Sequence, residues 1–126
     1  MKVTKETYYA IKMLKYLSKA GNEKVVPARE ISNNEIPFIF ALRILSKLVD
    51  KGLLESFRGT KGGFRLKKDE ISYYEIIKVI QPDFNTLKYM KNIKKNDELI
   101  LEFKNIRNEI DESLKKMKIT KINSSI

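Results

Sequence analysis

Residues 57–66 read FRGTKGGFRL, and this stretch restricts the fold more than any other part of the chain. Residues 53–57 and 64–66 read as two short strands, and the segment between them contains three glycines and two cations. Glycine tolerates the positive φ angles that tight hairpin turns require. The stretch therefore predicts a β-hairpin with a positively charged, glycine-rich tip, which is the form of a wing.

Two short helices are predicted immediately before this hairpin. Pro27 opens the first, which covers residues 28–31 and is broken by the sequence SNN. Pro37 is well placed as the first residue of the second. The apolar stripe of this second helix consists of Ala41, Ile44, Leu45 and Leu48. Two short helices joined by a tight break, the second amphipathic with basic residues outward, are typical of a helix-turn-helix.

A longer helix is predicted on each side of these elements. Thr4 is a candidate N-cap for a first helix with apolar residues at helical spacing. After the hairpin, Ser72 and Glu75 form a capping box, and the apolar run that follows carries a helix to Gln81. We therefore predict a mainly α fold with a small β-hairpin wing, a winged helix-turn-helix domain over residues 1–81.

The C-terminal third predicts a linker over residues 82–95 and a long helix over residues 96–118, with Asn96 as its N-cap. One apolar seam runs along this helix: Leu99, Phe103, Ile106, Ile110, Leu114 and Met117. Each such side chain contributes about 1.5–3 kcal/mol when buried, so the seam should cover either its own domain or a second copy of the chain. Residues 119–126 predict a frayed, disordered tail.

The charge of the chain points to a polyanionic partner. The sequence has 26 basic and 16 acidic side chains, a net charge of +10, and 16 of the basic but only 9 of the acidic residues precede position 82. Such an excess favours nucleic acid or, less often, an anionic membrane surface. No run of about 18 apolar residues and no signal-peptide pattern occurs, so we expect a soluble cytoplasmic protein without a membrane partner.

The residue types that are missing argue against enzymatic chemistry. The sequence contains no cysteine and no histidine, which excludes disulfides, thiolate zinc sites and cysteine-held iron–sulfur clusters, and removes the commonest general base. The acidic residues show no spacing typical of a catalytic or metal site. We therefore expect no catalytic residues, no metal and no cofactor.

Three stretches resemble the Rrf2 family of bacterial winged-helix regulators. The first is MKVT at residues 1–4 with YAI at 9–11, the second is residues 36–54 ending in KGL, and the most specific is residues 57–66 with the helix start after it. The resemblance implies a homodimer on an inverted-repeat operator, with each recognition helix in a major groove and each wing at a minor groove. It also implies that the long C-terminal helices form the dimer interface.

The sequence departs from this family at two places. Many members hold an iron–sulfur cluster with three cysteines before the dimer helix, whereas residues 82–97 here read PDFNTLKYMKNIKKND. Leu42 stands where the family often has a glutamate that would accept a hydrogen bond from cytosine N4. We therefore expect no cluster and an operator different from that of glutamate-bearing relatives.

Eleven residues are candidates for DNA contacts: Thr4, Lys5, Tyr8, Phe38, Ile39, Phe40, Arg43, Lys47, Arg58, Thr60 and Lys61. Those at the start of the first helix can hold a phosphate, although capping explains Thr4 equally well. On the recognition helix, Arg43 can reach a base or only a phosphate. At the wing tip, Arg58 either enters a narrow minor groove or is one more surface cation, and Lys61 is a phosphate contact or a solvated charge.

The two recognition-helix phenylalanines have alternative interpretations. Phe38 either contacts thymine methyl groups or packs under the wing, and Phe40 can straddle the core and the DNA backbone. In the linker, aromatic and apolar residues either line an effector pocket or pack against the dimer helix: Phe84, Leu87, Tyr89 and Met90. The sequence does not identify the effector, which is a small molecule, a partner protein or none.

These observations lead to the prediction of a homodimeric, sequence-specific transcriptional regulator, favoured as a repressor over an activator, that binds double-stranded DNA. The alternatives are a winged-helix module that binds another protein and a nonspecific DNA-binding protein. Steep weakening of DNA affinity with salt would exclude the first, and a preference for operator over random duplex would exclude the second.

Overall fold

The computed structural model describes residues 2–21, 23–85 and 97–122, and it is mainly helical with short antiparallel strand pairs. Its elements in chain order are α1 (Lys5–Lys19), α2 (Ala28–Ser32), α3 (Phe38–Asp50), β1 (Leu54–Phe57), β2 (Gly63–Leu66), β3 (Glu70–Ser72), α4 (Tyr73–Ile80), α5 (Glu98–Lys116) and β4 (Lys118–Thr120). The predicted fold class, mainly α with a small hairpin wing, is confirmed. No helix in the described part of the chain is long and apolar enough to cross a membrane.

Both N-caps predicted in the winged domain are present, but the predicted capping box is only half formed, because the Glu75 carboxylate pairs with Lys68 and not with the Ser72 N–H. The Thr7 backbone N–H donates to Thr4 Oγ1 (3.2 Å), and the Glu75 N–H donates to Ser72 Oγ (3.1 Å). Each bond satisfies one of the amide groups that a helix start leaves without an intrahelical acceptor. Pro37, predicted as the first residue of its helix, is instead the N-cap of α3, a shift of one residue.

One hydrophobic core joins α1, α3 and α4 with the base of the wing. The predicted stripe of α3 is fully buried, as are side chains of the other elements. The largest of these buried side chains are Met13, Leu14, Ile44, Leu45, Leu48, Leu53, Leu54, Ile71 and Ile76. Such packing orients α3, because its apolar stripe faces inward and its remaining positions face outward.

The wing is attached to the rest of the domain by a backbone bridge. Strands β1 and β2 pair antiparallel from Leu54↔Leu66 to Phe57↔Gly63. Near the tip end of β2, Val26 and Phe64 exchange two backbone hydrogen bonds of 2.9 Å each. The segment that precedes α2 therefore acts as a third, one-residue strand beside the wing.

The predicted frayed tail is wrong for residues 119–122. Strand β4 pairs antiparallel with β3, Ile119 is buried in the core, and the Ile122 N–H donates to the Ser18 carbonyl (3.2 Å). A three-residue strand with one apolar side chain has no periodicity of its own, and its partner lies about 50 residues earlier. Residues 123–126 lie outside the described residues.

The start of α5 differs from the predicted one by its cap. Asp97, not Asn96, is the N-cap, and its carboxylate accepts a hydrogen bond from the Leu99 N–H (2.9 Å). Asparagine and aspartate are both strong N-caps. Because Asn96 and Asp97 are neighbours, the sequence does not show which of them starts the helix. Residues 86–96, which include most of the predicted linker and Asn96 itself, lie outside the described residues.

Gln81, which ends α4, connects that helix to the start of α1. Its Oε1 accepts hydrogen bonds from Thr7 Oγ1 (2.6 Å) and from the Thr4 N–H (3.1 Å), and its Nε2 donates to the Lys2 carbonyl (2.9 Å). Thr7 is fully buried. One amide side chain therefore satisfies a buried hydroxyl and joins the two ends of the winged domain.

We expect Gln81→Leu to lower the free energy of unfolding by about 1–3 kcal/mol, because it leaves the buried Thr7 hydroxyl without its acceptor. Urea denaturation followed by circular dichroism measures the change. The control is the double variant Gln81→Leu/Thr7→Val, which removes both polar partners and should recover part of the loss. Equal stability of wild type and the single variant would show that the amide contributes nothing.

Candidate nucleic-acid interface

The outward face of α3 is the central element of the candidate interface. Ile39 is 70% exposed, and Arg43 is exposed with no side-chain partner among the described residues. Exposure of a large apolar side chain beside an unpaired cation suits a surface that contacts base edges, where isoleucine can meet thymine methyl groups and arginine can pair with guanine. Leu42, between them in position, is half-buried and less available.

The two phenylalanines of α3 pack within the protein. The Arg29 guanidinium lies 4.2 Å from the centre of the Phe38 ring, and the Phe40 ring meets Tyr9 edge-on at 5.7 Å. Both phenylalanines are half-buried. Phe38 thus forms a cation–π contact with Arg29 of α2, which was not among the predicted arrangements. Phe40 packs against Tyr9 of α1.

Lys47 is held by an ion pair that the sequence did not reveal. Its Nζ lies 2.6 Å from Glu6 Oε1, so the pair joins the last turn of α3 to the first turn of α1. Both side chains are partly buried, which protects the pair from solvent more than an exposed one. A DNA phosphate would have to compete with Glu6 for this ammonium group.

The three candidate DNA-contact residues at the start of α1 fall into two groups. Thr4 is engaged as a helix cap and in the Gln81 network, which supports the structural interpretation of this residue. Lys5 and Tyr8 are exposed, and the Tyr8 ring lies beside Tyr9 and the Lys12 ammonium group. Lys5 and Tyr8 are therefore the candidates in α1 whose side chains are available to a phosphate.

The tip of the wing presents three exposed candidates, Arg58, Thr60 and Lys61. The tip is closed by a hydrogen bond from the Gly62 N–H to the Gly59 carbonyl (2.9 Å), and Gly59 has φ +103°. Neither cation of the tip has an acidic partner in the described part of the chain. Such free cations at a narrow, glycine-built tip suit insertion beside a DNA backbone.

The other arginine of the hairpin has a different environment. Arg65 forms ion pairs with Glu55 (2.7 Å) and Glu23 (2.9 Å), and its guanidinium lies 4.8 Å from the Phe57 ring centre. The hydrogen bond to Glu55, aided by the Glu23 charge, raises the pKa of Arg65 above its ordinary value. Arg65 is thus a structural cation of the hairpin, distinct from those at the tip.

Two polar contacts tie the outside of α1 to the helix-turn-helix. Lys12 Nζ lies 2.7 Å from Glu35 Oε2, and the Tyr16 hydroxyl donates to Glu30 (2.6 Å). The Glu35 carboxylate raises the pKa of Lys12, and the hydrogen bond to Glu30 raises the pKa of Tyr16. Both groups keep their protons at neutral pH, so these contacts persist there.

Comparisons of the chain with known proteins agree on one family. The family model described as "Rrf2: Iron-dependent Transcriptional regulator" matches residues 3–124. The chain is 37% identical over 87 residues to Protein aau3 of Rhizobium meliloti, covering 67% of the chain and 56% of that protein. It is 30% identical over 88 residues to the HTH-type transcriptional regulator NsrR of Bacillus licheniformis, covering 68% and 62% respectively.

A third curated relative and two solved structures agree with this result. The chain is 32% identical over 91 residues to the HTH-type transcriptional regulator IscR of Aliivibrio salmonicida, covering 70% of the chain and 54% of that protein. The fold matches CymR, the global cysteine regulator of B. subtilis, with TM-score 0.80 at 22% identity over 94% of this chain and 93% of that one. It also matches T. potens IscR, with TM-score 0.75 at 19% identity over 94% and 83%.

The curated matches are confined to part of each relative, since the alignments span between 54% and 62% of the relatives' own length. The family model, in contrast, covers nearly the whole chain. The winged helix-turn-helix arrangement of α1 to α4 and the extended α5 agree with the matched folds. The chain therefore belongs to the Rrf2 family of transcriptional regulators.

Proposed function

We propose that the protein is a sequence-specific DNA-binding transcriptional regulator that acts in the cytoplasm as a homodimer on an inverted-repeat operator. The observation that carries this proposal is the outward face of α3 on a helix-turn-helix of a regulator family. Ile39 is exposed there, beside Arg43, which has no side-chain partner in the described ranges. Free cations at the wing tip add a second contact region. We favour repression, because occupancy of a promoter site is sufficient for it. Half-sites about one helical turn apart, or slightly more, suit such a dimer.

The exposed seam of α5 supports the homodimer. Helix α5 covers its own domain with a different face, whose one fully buried side chain is Ile100, at 5% exposure. The seam beside that face remains accessible, and its most exposed members within α5 are Leu99, Phe103 and Ile106, whereas the predicted last member, Met117, is the extended C-cap of the helix. A continuous apolar stripe of this kind is typical of an interface, because burying it against a second copy removes its apolar surface from water.

We propose that the iron dependence named in the family description does not extend to this chain. The family description names iron, yet the sequence has neither cysteine nor histidine to bind it. Within the described ranges, no three acidic side chains come together as a metal site either. Iron–sulfur clusters are held by thiolates, with histidine as the usual substitute. We therefore propose that the protein works without an iron–sulfur cluster, zinc or another cofactor.

The proposed function is tested by binding of the purified full chain to a DNA fragment from upstream of its own gene. A random duplex of equal length is the control, at about 50 and 200 mM salt. We expect about a thousandfold preference or more, and an overall affinity that falls steeply with salt. Equal affinity for both duplexes would indicate a nonspecific binder, and no binding would indicate a protein-binding winged helix.

Arg58→Ala should weaken binding to the operator by about tenfold, because the wing tip loses a cation that can enter the minor groove. Thermal stability and dimerisation should stay close to wild type, since Arg58 has no side-chain partner among the described residues. Fluorescence anisotropy with labelled operator measures the affinity.

Lys67→Ala is the matched control for Arg58→Ala. Lys67 is an exposed cation at the base of the same hairpin, just after β2. Its removal changes the net charge by the same amount at a distance from the tip. Equal loss of affinity in both variants would show that only net charge matters and would contradict insertion of the tip.

A further inference from the structure

A cleft of about 230 Å³ lies between α4 and α5, away from the candidate DNA-contact residues. Tyr74 and Lys78 line it from α4, Phe84 from the segment after α4, and Arg107 and Asp111 from α5. The interface between these two helices is thus not closed by apolar packing along its length. Polar side chains surround an open space where α5 rests on its own domain.

The two charged residues of α5 in this cleft have no side-chain partners among the residues that the structure describes. Arg107 and Asp111 are one helical turn apart and half-buried, yet in the described part of the chain neither forms an ion pair or a side-chain hydrogen bond. Opposite charges at this spacing commonly pair with each other. Partly buried charges without partners are unfavourable, and a ligand that carries both complementary charges would satisfy them.

Lys78 adds a positioned cation on the opposite wall. Its Nζ donates to the carbonyls of Pro82 (3.2 Å) and Phe84 (3.1 Å), which hold the ammonium group at the cleft. A lysine has three donors, so one remains for a ligand. The cleft therefore offers two positive groups, one negative group and the aromatic side chains of Tyr74 and Phe84.

We propose that this cleft binds a free α-amino acid. The carboxylate would accept bidentate hydrogen bonds from Arg107 with Lys78 nearby, the ammonium group would donate to Asp111, and the side chain would lie against Tyr74 and Phe84. A simple anion would face the repulsion of Asp111, and a simple cation that of the two basic groups. The volume of about 230 Å³ is below the about 300–1,000 Å³ typical of pockets for drug-sized ligands, and it suits a small metabolite.

Such a ligand would act as an effector because it bridges two elements of different roles. Helix α4 belongs to the winged domain, and α5 carries the seam proposed for dimerisation. A ligand bound to both stabilises one docking angle of α5 and thereby one spacing of the two recognition helices. The regulatory role rests on the proposed function, whereas binding in the cleft does not.

The test is a thermal-shift screen of the full chain against each of the twenty standard α-amino acids at about 10 mM, without DNA, followed by calorimetry. We expect one or a few to raise Tm by roughly 5–10 °C at about 100 times their Kd. N-acetylated and amidated forms of the same amino acid, which each lack one of the two charges, should give little or no shift. No shift with any of the twenty would overturn the proposal.

Three variants locate the site. Arg107→Gln and Asp111→Asn should each weaken the amino acid's affinity by about 10- to 100-fold, as expected for loss of a charge-assisted hydrogen bond. Lys104→Gln, which removes a half-buried cation of α5 that does not line the cleft, should leave the affinity unchanged. Undiminished binding by Arg107→Gln and Asp111→Asn would place the ligand elsewhere and overturn the assignment. Operator affinity, measured separately without ligand, shows whether the DNA-binding proposal stands or fails on its own.

Discussion

Gly63→Ala should lower the free energy of unfolding by about 2–4 kcal/mol, a large fraction of the stability of a small domain. Gly63 has φ +153°, and a Cβ on it would lie against the backbone of Val26, closer to its carbonyl oxygen than van der Waals contact allows. Relief requires the backbone to separate, which breaks the two Val26–Phe64 hydrogen bonds. Denaturation in urea, followed by circular dichroism, measures the effect.

The variant Gly59→Ala distinguishes the steric clash at Gly63 from the cost of a positive φ angle in alanine. Gly59 also has positive φ (+103°), but a Cβ there would meet no atom within 4 Å. Gly59→Ala should therefore lower the free energy of unfolding by only about 1–2 kcal/mol, which is the cost of placing an alanine in the left-handed backbone region. Equal losses for the two variants would show that the contact between the wing and the segment before α2 contributes nothing beyond the φ preference.

Ile106→Asp should convert the proposed dimer into a folded monomer. Ile106 is 50% exposed in the single chain and lies in the middle of the α5 seam. The substitution places two carboxylates per dimer in an apolar interface and removes two buried side chains. The combined cost is about 5 kcal/mol or more per dimer, equal to more than a thousandfold in the dimer Kd. Sedimentation equilibrium measures the Kd, and circular dichroism verifies the fold.

Leu101→Asp is the matched control, because Leu101 is 48% exposed and on the same helix but lies about 140° around its axis from Ile106. It introduces the same charge at nearly the same exposure and should leave the dimer intact. Dissociation by both variants would mean that the interface extends beyond the seam. Dissociation by Leu101→Asp alone would contradict the seam as the interface. Operator affinity should fall when dimerisation is lost, since one monomer occupies only one half-site.

The elements that the sequence predicted correctly are those with strong local signals. The hairpin follows from glycines between two short strand-like stretches, and the caps at Thr4 and Ser72 follow from hydroxyls ahead of helical patterns. These signals act over a few residues, so they need no knowledge of the rest of the chain. Strand β4 lacked such a signal, because its order comes from β3 and from the burial of Ile119.

The same distinction between local signals and tertiary contacts applies to the candidate nucleic-acid interface. Residue type and position indicated which side chains of α3 and the wing tip would be exposed cations or apolar groups. Their partners came only from tertiary contacts, as with Glu6 beside Lys47 or Arg29 over Phe38. Charge pairs between different helices have no fixed spacing in sequence, so periodicity does not reveal them. Whether each candidate contacts DNA stays a prediction.

The sequence by itself determined the fold class, the charge that favours a polyanion, and the lack of thiolate and imidazole ligands. Local propensity and chemical composition are sufficient for these, because they depend on residue types and short spacings. The tertiary structure alone decided that Gln81 joins α1 to α4, that α5 rests on its domain beside the seam, and that Arg107 and Asp111 face a cleft. Each of these depends on how whole elements pack against one another, and packing brings together residues that are distant in sequence.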